Sequence, residues 1–414
     1  MTSLPLWREH DFRRLWIAQA VSDFGARITR EGLPMMAVMG LAATPAQLGL
    51  LAACAGASAL VAGLSVGGRI DRTRRRPVLI ACDLIRAAVL ASLPAAALLH
   101  LLSIWQVFAA AALVAGASAV FDIADHAYLP SLVPRGRLTE ANARIASTES
   151  LAELGGPALA GFLFQWLTAP IAVAVNAGTY LISALFLGGI GAAEPVLESE
   201  PAARRWLDGV RTGLATAWRE PAVRPLLVMA AASGLFGGVF SALYMLFALR
   251  VLGIAPAVLG LIIAVGGAAA LAGSLIAQPL ARTIGVGPAI LASALISGGS
   301  SLLIPLAQAS RPLAPAALIG AQLLGDSFGV ATIVLAVSLR QAILPPRLLG
   351  RTGAAFQAMA GGAAVIGALG GGWLGQTLGA QAALFVAAAG VALAPVVGLL
   401  SPLRKFQKIP AASA

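Results

Sequence analysis

The sequence predicts an all-helical integral membrane protein with twelve spanning helices in two parallel six-helix halves. Three observations predict it. Of the 414 residues, 59% are hydrophobic and only 11% charged, with a mean hydropathy of +0.89. A soluble domain carries about 25% charged residues, so this chain cannot cover a surface that faces water. Its apolar runs recur at close to the roughly 20 residues that cross a bilayer. Part of the chain also returns in register 211 residues later, as from Pro134 to Pro345.

Taken in order, apolar runs broken by Gly, Pro or charge place spans near 13–40, 47–67, 77–99, 104–126, 145–167 and 170–190. A second set follows near 226–249, 257–280, 287–308, 313–338, 353–375 and 381–401. Positive residues test this count, because cytoplasmic loops are enriched in Lys and Arg. Of the 28 Lys and Arg residues, only Arg250 and Arg311 fall on the far side, and Arg27, Arg30 and Arg86 fall within spans. All others lie in the even-numbered connections or the termini, which places both termini in the cytoplasm. A missed helix would scramble that alternation.

Residues 191–225 form the one long connection, rich in both charge signs. It divides the chain into an N-terminal bundle (1–190), a cytoplasmic linker (191–225) and a C-terminal bundle (226–414). Within it, WLDGVRTGLATAWRE reads as a short amphipathic helix at the membrane interface or as a solvated linker. The N-terminal MTSLPLWREHDFRRLW carries both signs and lacks a cleavable signal pattern. The formal net charge of +11 is spread over loops and calls for no nucleic acid. Cys54 and Cys82 sit in apolar surroundings with no metal-ligand spacing, so neither metal nor cofactor is expected.

The offset of 211 residues aligns Pro134, Gly156, Gly161 and Gln165 with Pro345, Gly367, Gly372 and Gln376. Leu and Ala matches weigh little in apolar sequence; Pro, Gly and Gln in register weigh more. Equivalent elements on the same side of the membrane mean a parallel repeat, as in carriers whose halves rock about a central site.

The loop after the second span, GGRIDRTRRRPVLIACDLIRA, resembles the signature loop of the major facilitator superfamily. The matching residues are Gly67, Asp71, Arg72, Arg75 and Arg76; Arg74 replaces the family's second glycine. The resemblance implies a cytoplasmic gate in which Asp71 caps or pairs with groups of the other half; separately, Asp83 and Arg86, at i,i+3 in the third span, read as a gate-supporting pair. In the fifth span Gly155, Gly156, Pro157 and Gly161 look like the Gly-Pro motif of the superfamily's exporters; close helix packing explains them equally well. REHDFRRLWIAQAVSDFG and FDIADHAYLPSLVPRGRLTEANARIASTES are similar to the branch with enterobactin-type siderophore exporters and macrolide efflux carriers.

The first span carries Asp23, Arg27, Arg30 and Glu31. At about 100° per residue these fall on one stripe with Gln19, and their charges cancel. Asp23–Arg27 and Arg27–Glu31 stand at i,i+4. An isolated charge in mid-membrane costs about 2.5–3.5 kcal/mol, so pairing and a water-filled cavity are required. Three further sites compete. Asp122, Asp125 and His126 share a face near the end of the fourth span. Glu149 and Glu153 begin the fifth and are expected to pair with Arg135, Arg137 or Arg144. Asp326, with Gln322 and Ser327, is the one acid inside a C-terminal span.

These features predict a proton-coupled exporter of a drug-like or siderophore-like molecule, working by alternating access in a bacterial-type inner membrane. Asp23 or Glu31 carries the proton, and Arg27 or Arg30 holds the other carboxylate or a substrate anion. Partners are the substrate, protons and the lipid bilayer; oligomeric state is open, and one chain suffices. Two alternatives are a facilitator or importer of a small organic anion or metabolite, and a lipid scramblase or lysophospholipid transporter. No nucleotide-binding loop, HExxH or GxSxG is present, so neither ATP drive nor enzymatic activity is expected.

Overall fold

Pro, Gly and reciprocal side-chain caps divide the chain into helices. The computed structural model describes residues 6–70, 73–192, 194 and 206–407, and all regular structure in them is helical. The helices are α1 (His10–Gly40), α2 (Pro45–Ile70), α3 (Arg75–Leu98), α4 (Ile104–Leu132), α5 (Leu138–Trp166), α6 (Ala169–Gly188) and α7 (Trp206–Arg219). They continue as α8 (Arg224–Leu246), α9 (Pro256–Ile284), α10 (Val286–Ser300), α11 (Leu303–Leu306), α12 (Ala314–Ile343), α13 (Pro346–Thr377) and α14 (Ala380–Leu399).

Among the described residues, ten helical stretches are long and apolar enough to cross a membrane. The other two long helices, α1 and α5, have 31 and 29 residues; their charges keep them out of that set. Expected spans 104–126 and 145–167 prove to be parts of longer helices. Asp122 and Asp125 therefore lie more than a turn inside α4, and Glu149 and Glu153 lie well inside α5. The ninth expected span is broken into α10 and α11.

Local chemistry explains the boundaries. At the start of α2, Thr44 N–H donates to Gln47 Oε1 at 2.9 Å and Gln47 N–H to Thr44 Oγ1 at 3.3 Å, a reciprocal capping box. Prolines open α6, α8, α9, α12 and α13 in the first turn, where a missing N–H costs nothing. Gly285, at φ 92°, separates α9 from α10 in a conformation that disfavours side chains.

The chain forms two compact units: Met1–Ala43 with Cys54–Ala203, and Thr44–Ala53 with Arg204–Ala414. In the first unit, α1 packs on α5 and α6, and α3 on α4 and α6. Its core joins Phe12, Leu15, Leu79, Phe121, Tyr128 and Leu187. In the second, α13 packs on α8 and α7, α12 on α9 and α10, and α14 on α8.

The repeat has a structural counterpart inside each unit. A Cβ on Gly156 of α5 would collide with the Cβ of Arg27 on α1, and one on Gly155 would meet the Phe24 ring at 3.0 Å. A Cβ on Gly367 of α13 would collide with the backbone of Leu235 on α8. The aligned glycines thus seat the fifth helix of each half against its first. Gly156→Leu is expected to push α1 from α5 and destabilise the protein by about 1–3 kcal/mol. A lowered thermal midpoint for Leu, with Ala intermediate, checks it.

Two residues of the signature loop, Asp71 and Arg72, lie outside the described residues, and Gly67 falls in the last turn of α2. The described part of the loop is stapled to the end of α6. Glu194 accepts the N–H of Arg75 at 2.7 and 2.8 Å and that of Arg76 at 3.3 Å, so a carboxylate sits on the N-terminus of α3. In return Arg76 donates through Nε to the carbonyl of Leu187 at 2.9 Å and through Nη2 to that of Gly188 at 2.5 Å, at the C-terminus of α6. Each charge meets the helix end of opposite sign. Glu194→Ala is expected to cost about 1–2 kcal/mol, read as a lower thermal midpoint with faster amide exchange in the first turn of α3.

Candidate functional site

One member of the α1 stripe finds its partner on α5. Glu149 and Glu153 were expected to pair with Arg135, Arg137 or Arg144, and Arg27 with Asp23 or Glu31. Glu153 instead meets Arg27 through both oxygens, with Nη1 donating to Oε1 at 3.0 Å and Nη2 against Oε2. This fork-on-fork geometry is the strong form of the interaction, and the missing side chains of Gly155 and Gly156 let the helices come close enough to form it. Pro157 contributes too: having no N–H, it cannot bond the carbonyl of Glu153 one turn earlier.

Two of the three arginines expected beside Glu149 and Glu153 are engaged elsewhere. Arg137 donates to Glu9 at 2.5 Å and to Glu140 at 3.0 Å, and Arg144 lies 3.6 Å from Glu140. Hydrogen bonds from Arg137 hold the Glu140 carboxyl below the usual carboxylate range, helped by the N–H of Leu6. This cluster ties the N-terminal segment to the start of α5, ahead of the 145–167 span.

With Arg27 drawn to Glu153, Asp23 lacks the partner its spacing foretold. Glu149, Asp125 and Asp122 lie within electrostatic range of its carboxylate, as does Arg27. Four carboxylates from α1, α4 and α5 therefore share one region. Asp23 is half-buried, Asp125 is buried, and Asp122 and Glu149 are exposed. Asp125 accepts a hydrogen bond from Gln19 Nε2, which anchors the cluster to α1. Arg86 and His126 lie within electrostatic range of Asp122, and His126 within that of Asp125.

Further along α1, Arg30 stands 4.0 Å from Glu31, and their side chains are 70% and 17% exposed. Arg30 is thus a loosely held, accessible cation. Pro34 leaves the carbonyl of Arg30 without its helical donor.

A different face of α1 binds the rest of the unit. Arg86 on α3 is 1% exposed and donates to Asp83 at 2.5 Å, Ser22 at 3.2 Å and Ser118 at 3.3 Å. Its guanidinium lies between the rings of Phe121 and Tyr180, 4.3 and 4.4 Å from their centroids. Nearby, Asn176 donates to Thr29 Oγ1 at 2.5 Å, and Thr29 donates to the carbonyl of Gly25 at 2.9 Å. Asp83 and Arg86 therefore form a buried hub joining α1, α3, α4 and α6. Ser22, Ser118 and Tyr180 were not foreseen because nothing local marks a hydroxyl or ring as an arginine's neighbour.

In the second unit, a Cβ on Gly266 of α9 would collide with Oδ2 of Asp326 and meet Nε2 of Gln322 at 2.8 Å. Asp326 and Gln322 therefore lie together against α9, and Ser327 donates to the carbonyl of Ala269 at 2.8 Å. Among the described residues, no three His, Cys, Asp or Glu side chains are grouped to hold a metal ion.

A protein family described as transmembrane secretion effector matches residues 1–414. No curated protein sequence matches the chain. Among solved structures, a bacterial homolog of the human lysosomal transporter Spinster, inward-facing and unoccupied, is similar with a TM-score of 0.73 at 15% identity, covering 100% of both chains. A bacterial homologue of the iron transporter ferroportin, inward-facing, has a TM-score of 0.75 at 17% identity over 95% of this chain and 98% of its own. The nucleoside transporter NupG has a TM-score of 0.72 at 12% identity over 94% and 98%. At such identities the likeness is one of fold.

Proposed function

Because the chain belongs to the transmembrane secretion effector family of major facilitator transporters, we propose that it is a proton-coupled exporter of a drug-like or siderophore-like molecule. We read α1 and α5 as spans as well, giving twelve in a bacterial-type inner membrane with both termini cytoplasmic. The observation that carries the proposal is the gathering of Asp23, Asp122, Asp125 and Glu149, while the nearby Arg27 is committed to Glu153. Binding a proton is the ordinary way to relieve like charges crowded around a half-buried carboxylate. A carboxylate that takes a proton from one side and releases it to the other couples substrate export to the proton gradient.

Within this reading Asp23 is the preferred proton carrier over Glu31. Asp23 faces three other acids, whereas Glu31 has Arg30 and Arg27 as its leading charged neighbours. Proteoliposomes with an imposed pH gradient test the proposal. Substrate movement indifferent to the gradient would overturn it.

One observation favours a second reading, uptake or facilitated passage of a small organic anion: the exposed, loosely paired Arg30. Arg30→Glu separates the two. It should abolish transport of an anion and spare that of a cationic drug.

A further inference from the structure

The second unit contains a cavity of about 560 Å³ between α8, α10, α12, α13 and α14. This lies within the range of about 300–1,000 Å³ usual for small-molecule sites. Met229, Ala230, Ala336, Phe356, Val391 and Pro395 give it mostly apolar walls. The lining hydroxyls of Ser297 and Thr332 donate to the carbonyls of Gly325 and Phe328, each at 2.8 Å. Arg340 is the one charged residue in the lining.

Arg340 is held without being neutralised. Its guanidinium carbon lies 4.5 Å from the centroid of the Phe356 ring. Its Nε is buried with no hydrogen-bond partner, and among the described residues no carboxylate forms an ion pair with it. Leaving such a donor unpaired is costly. An anion in the chamber would meet the guanidinium through its terminal nitrogens, whose fork suits carboxylate or phosphate. Arg340 stands in the last turn of α12, at one end of the chamber, so the anion must carry an apolar body that fills the remainder.

We propose that this cavity is a binding site for a single-chain amphiphile with an anionic head, the head on Arg340 and the chain against α8, α12 and α14. The volume is too small for a two-chain phospholipid. A free fatty carboxylate and an anionic lysophospholipid both present this chemistry.

The test uses the full chain in nanodiscs of zwitterionic lipid. Palmitate, a lysophosphatidylglycerol with the same chain, and hexadecanol are titrated separately by calorimetry. Wild type is expected to bind an anion at least about tenfold more tightly than the alcohol, and Arg340→Gln is expected to remove that advantage. Tighter palmitate binding assigns a fatty carboxylate; tighter lysophospholipid binding assigns a lipid head group. Ala336→Phe, which fills the chamber and leaves Arg340 in place, should weaken all three. Equal affinity for anion and alcohol, no binding by wild type, or anion affinity unchanged in Ala336→Phe would each overturn the proposal. The last three readings need no Arg340 variant, so they stand even where Arg340→Gln does not fold.

Discussion

Asp23→Asn is expected to lower transport driven by an imposed pH gradient by at least about tenfold, or 1.4 kcal/mol in the barrier. It should leave substrate counterflow at equal pH largely intact. Asn keeps the size and hydrogen-bonding capacity of Asp but cannot carry a proton. The separation of the two assays therefore tests coupling and not folding. Among its neighbours, Asp125 is tethered to Gln19, and Asp122 and Glu149 are exposed, which leaves Asp23 as the half-buried member of the cluster. Asp23→Glu should restore part of the gradient dependence. If Asp23→Asn behaves as wild type and Glu31→Gln does not, the proton resides beside the arginines instead. If the double variant Asp23→Asn with Glu31→Gln still follows the gradient, proton carriage by α1 is wrong.

The second large effect concerns Asp83. Replacing it with Ala leaves Arg86 charged at 1% exposure, with two serine hydroxyls and two aromatic rings but no carboxylate in direct contact. Breaking a buried pair from one side costs about 3–5 kcal/mol, so Asp83→Ala is expected to lower the thermal midpoint sharply and reduce the yield of folded protein. Replacing both partners removes the stranded charge, and Asp83→Ala with Arg86→Met should recover much of the loss. A double variant no more stable than Asp83→Ala would mean that Arg86 contributes mainly through Phe121, Tyr180, Ser22 and Ser118.

The all-helical character was legible because apolar runs of spanning length leave little other choice. The helical reading of residues 13–40 followed from the one-sided placement of Asp23, Arg27, Arg30 and Glu31, and α1 is continuous from His10 to Gly40. Partner choice was not legible. Spacing at i,i+4 shows which groups can meet on one helix, but Arg27 is claimed by Glu153, 126 residues away. That contact depends on two glycines, which in sequence serve packing and motif readings equally. Glu194 read as one more linker charge until it was found on the N-terminus of α3. Arg340 counted only as a positive loop residue, since a run of apolar sequence does not reveal a chamber enclosed by five helices.

The aligned glycine seats on α5 and α13 differ in one respect that matters for substitution. The two seats share one geometry and differ in the residue that faces the glycine. At the N-terminal seat the facing residue is Arg27; at the C-terminal seat it is Leu235. The C-terminal seat is therefore an uncharged version of the same joint. Polar groups introduced beside Gly367 would leave the Arg27–Glu153 pair at the N-terminal seat untouched.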